Sequence, residues 1–256
     1  MKTPILLAFA LLATSAMADP GPADEVKAAA KKLTEAANYS WTTTTTVPEG
    51  SRFSPGPVEG KINKEGYALL SMTMGDRKTE TLLKDGKSLT KGEAGWQTAE
   101  ERRAARGDGG TPGSAGGRGT GGSWAGRGMR NFKTPAASVE DLAGKVKELK
   151  KDGDVFSGDL TEAALKEMLT MGGRRRDGSE APTPTDAKGS VKFWIKDGVL
   201  TKYETTVSGK ISFNDNEMKL DRTATTEIKE VGTSTVEVPE EAKKKIDSAP
   251  APAAAE

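Results

Sequence analysis

Alternation of apolar and polar positions is strongest over residues 188–238 and predicts three or four consecutive antiparallel strands there. In the run 199–207, Val199, Tyr203 and Val207 share one face while Lys202 and Glu204 share the other. Farther on, Met218, Leu220, Ala224 and Ile228 alternate with Lys219, Asp221, Glu227 and Lys229. Successive strand side chains point to opposite faces, so this pattern describes a sheet with one sheltered and one wet face. Such a sheet needs a cover on its apolar side, which helices, a second sheet or a ligand could supply.

Helical spacing marks residues 23–37, where Val26, Ala29, Ala30, Leu33 and Ala37 form one stripe behind Asp24 and Glu25. A threonine-rich strand follows from Tyr39 to Val47, with Tyr39, Trp41, Thr43 and Thr45 on one face. Shorter strands are expected at Val58–Lys64, Tyr67–Gly75, Arg77–Lys84 and Lys87–Lys91, with a brief strand at Gly95-Trp96-Gln97. Asp85-Gly86 between two of them is a hairpin signal. Ser138 and Asp141 read as a capping box that opens a helix ending near Lys150-Lys151, with Val139, Leu142, Val146 and Leu149 as its buried stripe. Asp152-Gly153 turns the chain into a short strand at Val155–Leu160. A further helix, Thr161–Met171, carries Leu165, Met168 and Leu169. The final meander closes at Val236, Val238 and Pro239.

Composition changes the picture at the ends and at two interior stretches. Residues 1–18 read as a secretory signal: Lys2, then the apolar run Ile5–Ala13, then Ala16-Met17-Ala18, with cleavage after Ala18. That run is too short to span a bilayer, and no transmembrane segment is expected after cleavage. Residues 102–130 set Arg102, Arg103, Arg106, Arg118, Arg127 and Arg130 among dense glycine, which is too little apolar surface to offset the entropy of ordering. They read as a disordered insertion. Residues 172–187, with Arg174-Arg175-Arg176, read as a polar loop, and 248–256 as a disordered Ala/Pro-rich tail. The remainder, 19–247, reads as a single domain.

Loss of Lys2 with the signal leaves 37 basic residues (38 − 1) against 37 acidic ones. A neutral chain has no global field to steer it to nucleic acid, and no nucleic-acid partner is expected. The sequence has no cysteine, so neither disulfides nor a bacterial-type lipid anchor is expected. It has no histidine either, which removes Ser-His-Asp and Cys-His catalysis and most catalytic zinc sites. No P-loop, dinucleotide fingerprint or calcium loop is present; Asn214-Asp215-Asn216-Glu217 reads as a polar hairpin turn. No cofactor, metal ligand or catalytic residue is assigned, and the chain is expected not to be an enzyme.

Three stretches carry a family likeness. The first is the Lys87-to-Trp96 hairpin with Gly86 and Gly95. The second is the strand-into-helix step Val155-Phe156-Ser157-Gly158-Asp159-Leu160-Thr161. The third is the hairpin Val191-Lys192-Phe193-Trp194-Ile195-Lys196-Asp197-Gly198-Val199-Leu200-Thr201-Lys202. With the order signal, helix, meander, two middle helices, second meander, the chain resembles the LolA-like superfamily of bacterial envelope proteins over most of residues 23–240, in particular its LppX/LprG-type and RseB-type members. It departs from the anchored members in lacking a lipobox cysteine, and from the superfamily in its glycine/arginine insertion.

The resemblance implies an α+β fold, a curved antiparallel half-barrel with helices covering the concave face. It implies a periplasmic or secreted non-enzymatic protein that binds a lipid, an acyl chain or a lipoprotein tail between sheet and middle helices. The cavity wall it implies is Trp41, Leu69, Met72, Met74, Leu82, Val146, Leu149, Leu165, Met168, Phe193, Ile195 and Tyr203. Methionine suits such a wall because it adapts to varied apolar shapes. On a regular strand Leu69 points away from Met72 and Met74, and would join the wall only through a bulge. The alternative is a sensing or protein-interaction module of the same fold with a closed core, meeting an envelope protein through Arg174–Arg176 or the glycine/arginine segment. Nothing in the sequence specifies an oligomeric state.

Overall fold

Among the described residues, a single antiparallel sheet of eleven strands underlies the fold, in the order β6-β5-β4-β3-β2-β1-β11-β10-β9-β8-β7. The computed structural model describes residues 20–49, 51, 55–74, 77–105, 132–170, 183–213 and 216–249. The signal segment, most of the glycine/arginine segment and the Arg174–Arg176 triplet lie outside the described residues. The first meander contains β1 (Asn38–Thr46), β2 (Val58–Asn63), β3 (Ala68–Met74), β4 (Arg77–Lys84), β5 (Lys87–Gly92) and β6 (Gly95–Gln97). The second contains β7 (Lys150–Asp152), β8 (Val155–Asp159), β9 (Thr185–Lys196), β10 (Val199–Phe213) and β11 (Asn216–Lys229). Pairing of β1 with β11 joins the two into one sheet. The α+β architecture expected from the sequence is the one found.

Helix α1 (Pro22–Glu35) starts where Pro22 supplies a preset φ and Asp24 and Glu25 meet the positive helix end. Its buried residues, Val26, Ala29, Ala30 and Leu33, are those of the sequence stripe. Helix α3 (Pro135–Ala143) packs on α1, and small buried alanines on both sides (Ala29, Ala30; Ala136, Ala143) let the axes come close. Helix α4 (Glu162–Leu169) and α1 lie over β9 and β10. The face beneath α1, α3 and α4 is here called inner. Its core includes Trp41, Leu70, Phe156, Val191, Phe193, Leu200, Val207 and Ile211.

Several details depart from expectation. Helix α3 opens at Thr134, whose hydroxyl accepts from the Ala137 amide, with Pro135 next; the Ser138/Asp141 capping box does not form. The helix ends before Gly144, so Val146 and Leu149 are not helical, and Lys150–Asp152 is a strand. Helix α2 (Ala99–Ala105) occupies the start of the segment read as an unstructured insertion, and β9 begins at Thr185, inside the expected polar loop. A β-bulge at Thr201 shifts the register of β10, so Leu200, not Val199, shares the inner face with Tyr203 and Val207. The last strand ends at Lys229, before Val236 and Val238.

The largest departure is α5 (Glu240–Ser248), which covers part of the outer face. Tyr67, Leu82, Leu89 and Trp96 point outward there and bury Ala242 and Ile246 in a second core. That face is therefore not uniformly wet. A polar clamp fixes the helix end: Asp247 accepts from the Tyr67 hydroxyl (2.7 Å) and pairs with Lys84 (2.9 Å), while Lys87 Nζ donates to the Asp247 carbonyl. Lys245 pairs with Glu101 of α2 at 2.8 Å. Lys84 and the Tyr67 hydroxyl hold the Asp247 carboxyl below its ordinary 3.8.

Gly60 of β2 sits beneath the buried Trp41 indole, and a Cβ there would collide with the ring. Alanine in a strand is ordinarily favoured over glycine by roughly 0.5–1 kcal/mol, but overpacking a core costs about 1–3 kcal/mol. Gly60→Ala is therefore expected to lower stability by about 1–2 kcal/mol in urea unfolding. At the outer face, Ile246→Ala is expected to cost roughly 2–5 kcal/mol. A lowered carboxylate pKa stabilises at pH values above the ordinary one, and that contribution is lost as pH falls through the lowered value. Amide exchange over 240–248 should thus be faster in Asp247→Asn than in the parent at neutral pH, the two converging well below pH 3.8.

Candidate functional site

The strand register places one row of inner-face residues across eight strands. It runs Phe156, Phe193, Tyr203, Thr226, Thr43, Val58, Met72, Thr79. Its aromatic end is buried under the helices, its middle carries hydroxyls, and its far end is partly exposed at Val58, Met72 and Thr79. Thr43 and Thr226 satisfy each other at 2.8 Å. Burial pushes the Tyr203 phenol above its ordinary value, opposed by the hydroxyls of Thr226 and of Ser138 on α3. Burial likewise raises Tyr39, opposed by Thr134 and the Ala136 backbone. The seam between α3 and the sheet is thus partly polar.

Of the expected wall, Trp41, Leu165, Phe193 and Ile195 are buried in the inner core. Val146, Leu149, Met168 and Tyr203 pack against it partly buried. Met72 lies on the same face, and Met74, two residues farther along β3, pairs with Arg77 in the ladder. Leu82 is not brought to this group: β4 turns it outward, where it is fully buried against α5. Pairing of β3 with β2 and β4 is regular, so Leu69 also faces outward and packs with the second core.

Helix α4 is seated tightly. A Cβ on Gly189 would lie 2.7 Å from Leu165 Cδ2, and one on Gly209 2.8 Å from Leu169 Cδ1. These strand glycines admit the leucines, which leaves no room for a ligand directly beneath that helix. Trp41 is closed in similarly, between Gly60 and Phe132, whose ring stacks on it at 6.3 Å. On the outside, Asp141 of α3 meets Lys133 and Lys145 at 2.9 Å each, and Lys145 reaches Glu167 of α4 at 2.6 Å. Burial works against the Asp141 charge, but the two lysines outweigh it and hold its pKa below the usual value. This ionic chain links α3 to α4.

One inner-face residue escaped sequence reasoning. Arg222 lies between Leu220 and Ala224 on β11, opposite Val207. Its Nη2 donates to the Met168 carbonyl in the last turn of α4 at 2.8 Å, and burial lowers its pKa. The signal was available: among the even positions 218 to 228, all facing inward, only 222 carries a charge. Met218 and Leu220 extend the apolar surface beside it, Met218 being 45% exposed. Among the described residues, no group of three or more acidic residues is placed to hold a metal ion. Among them, too, no helix is long and apolar enough to cross a membrane.

No family model matches the sequence, and no curated protein matches it. Among solved structures, the chain is similar to the crystal structure of the Mycobacterium tuberculosis lipoprotein LppX. That likeness has 11% identity, 86% coverage of this chain, 99% of LppX and a TM-score of 0.44. It is also similar to LprF from Mycobacterium bovis, with 12% identity, 86% of this chain, 96% of that one and a TM-score of 0.41.

Proposed function

We propose that the chain is an exported, periplasmic, non-enzymatic binding protein for a lipid, an acyl chain or a lipoprotein tail. The ligand would lie between the inner face and the helices. The observation that carries this reading is the graded inner row, which emerges from beneath α1 and α3 into partly exposed Val58 and Met72. A surface that is apolar, adaptable and half-covered suits a long flexible chain, which needs contact area more than directed hydrogen bonds. Met168, Leu220 and Met218 add a second apolar stretch beside α4. The secretory character of residues 1–18 supports export.

A second reading, a protein-interaction or stress-sensing module with a closed core, is favoured by the tight seating of α4 on Gly189 and Gly209 and by the enclosed Trp41. Native mass spectrometry of gently purified residues 19–256, with titration by a fluorescent fatty acid, separates the two. A stoichiometric acyl species, or saturable probe binding, is the expected result. Protein that carries no lipid and does not bind the probe would sink the ligand reading in favour of the closed module.

A further inference from the structure

We propose that Arg222 anchors an anionic head group, so that the ligand class is an amphiphile ending in a carboxylate or a phosphate monoester. This rests on the ligand-binding reading above and narrows it. Arg222 is the one charged residue on the inner face of β1, β2, β3, β10, β11 and the 189–195 part of β9, among the described residues. Its neighbours along and across the sheet are Leu220, Ala224 and Val207, the last fully buried. A guanidinium brought into such surroundings loses hydration, and its lowered pKa has that cause.

The protein offsets only part of this loss. The Met168 carbonyl, one of the free acceptors at the negative end of α4, takes one of the five guanidinium N–H groups. Among the described residues no Asp or Glu lies within ion-pair distance of Arg222, and the adjacent Asp221 belongs to the opposite face. If Arg222 served only to cap α4, a lysine-like point charge reaching in from the surface would suffice. A planar fork held at one corner by a carbonyl keeps its other N–H groups for a bidentate acceptor such as a carboxylate or phosphate. Partly exposed Met168, Leu220 and Met218 lie alongside to receive the chain attached to that head group.

The test uses delipidated residues 19–256 with a dansyl-labelled fatty acid and its methyl ester, which differ only in the anionic end. A charge-assisted contact predicts that the acid binds roughly tenfold to a hundredfold more tightly than the ester. In Arg222→Met this ratio should fall to about one, and in Arg222→Lys, which keeps the charge and loses the fork, it should fall part of the way. Displacement of the acid probe by lysophosphatidic acid more readily than by unlabelled fatty acid would assign a phosphate head; the reverse order would assign a carboxylate. Displacement by acetate or inorganic phosphate alone as effective as either amphiphile would overturn the amphiphile assignment. Equal binding of acid and ester to the parent, or an undiminished ratio in either variant, overturns the role of Arg222 while leaving the ligand-binding reading intact. Failure of both probes to bind the parent would defeat that reading and this inference together. Should Arg222→Met fail to fold, the Lys variant decides alone.

Discussion

Pairing of β1 with β11 is the constraint on which the rest depends. Two meanders, each able to form hairpins locally, become one sheet only through the ladder from Ser40↔Lys229 to Thr46↔Thr223. At its Ser40↔Lys229 end the partners are 189 residues apart in the chain. Loop-closure cost rises only logarithmically with separation, so a modest ladder backed by burial can support it. Here the ladder sits over Trp41 and Ile228, both in the inner core, and Ser40 adds a 2.8 Å bond to Glu230 just past the strand. Without this pairing, β1 and β11 would be long exposed edges. With it, the edges of the sheet are β6 and β7, three residues each, and β7 reads Lys-Lys-Asp. Both edges are short and that of β7 is charged, features that resist further strand addition.

Joining the meanders also divides the labour between faces. Alternation sends Ala68, Leu70 and Leu83 inward and Tyr67, Leu69 and Leu82 outward on neighbouring strands, so both faces of the first meander are apolar. One face is covered by helices that precede or interrupt the second meander, the other by a helix that follows it. The chain thus returns from the end of β11 to cover strands formed near its beginning. Glycines decide how close each cover comes: at Gly189, Gly209 and Gly60 a leucine or tryptophan occupies the space a Cβ would take. Where the cover is closest the core is shut, and where it thins, at Met72, Val58, Met168 and Arg222, the inner face meets solvent.

Much of this was legible in the chain. The α1 stripe, the hairpins at Asp85-Gly86 and Asp197-Gly198, and the inward set Met218, Leu220, Ala224 and Ile228 all follow from period and turn chemistry. Both of those Asp-Gly pairs have positive φ, which the aspartate tolerates and the glycine invites. The end of α3 was misread because Val146 and Leu149 keep helical spacing with Val139 and Leu142. Gly144 stops the helix, and the spacing is met by a loop bridged to Leu160. The Thr201 bulge was invisible for the same reason that bulges often are: one extra residue leaves the local pattern plausible in either phase.

Local periodicity and turn residues by themselves therefore determined most strands (β7 excepted), most helices, the antiparallel class and which residues alternate, since these depend on neighbours a few positions apart. The assignment of faces to covers belonged to the tertiary structure. Leu82 and Leu83 are equally apolar, and only the pairing of β4 with its neighbours, and the arrival of α5 from far along the chain, set one against the outer helix and the other in the inner core. The same holds for Arg222. Its residue type is plain in the sequence, but its placement beside the α4 carboxyl end arises from contacts 54 residues apart, which no local pattern encodes.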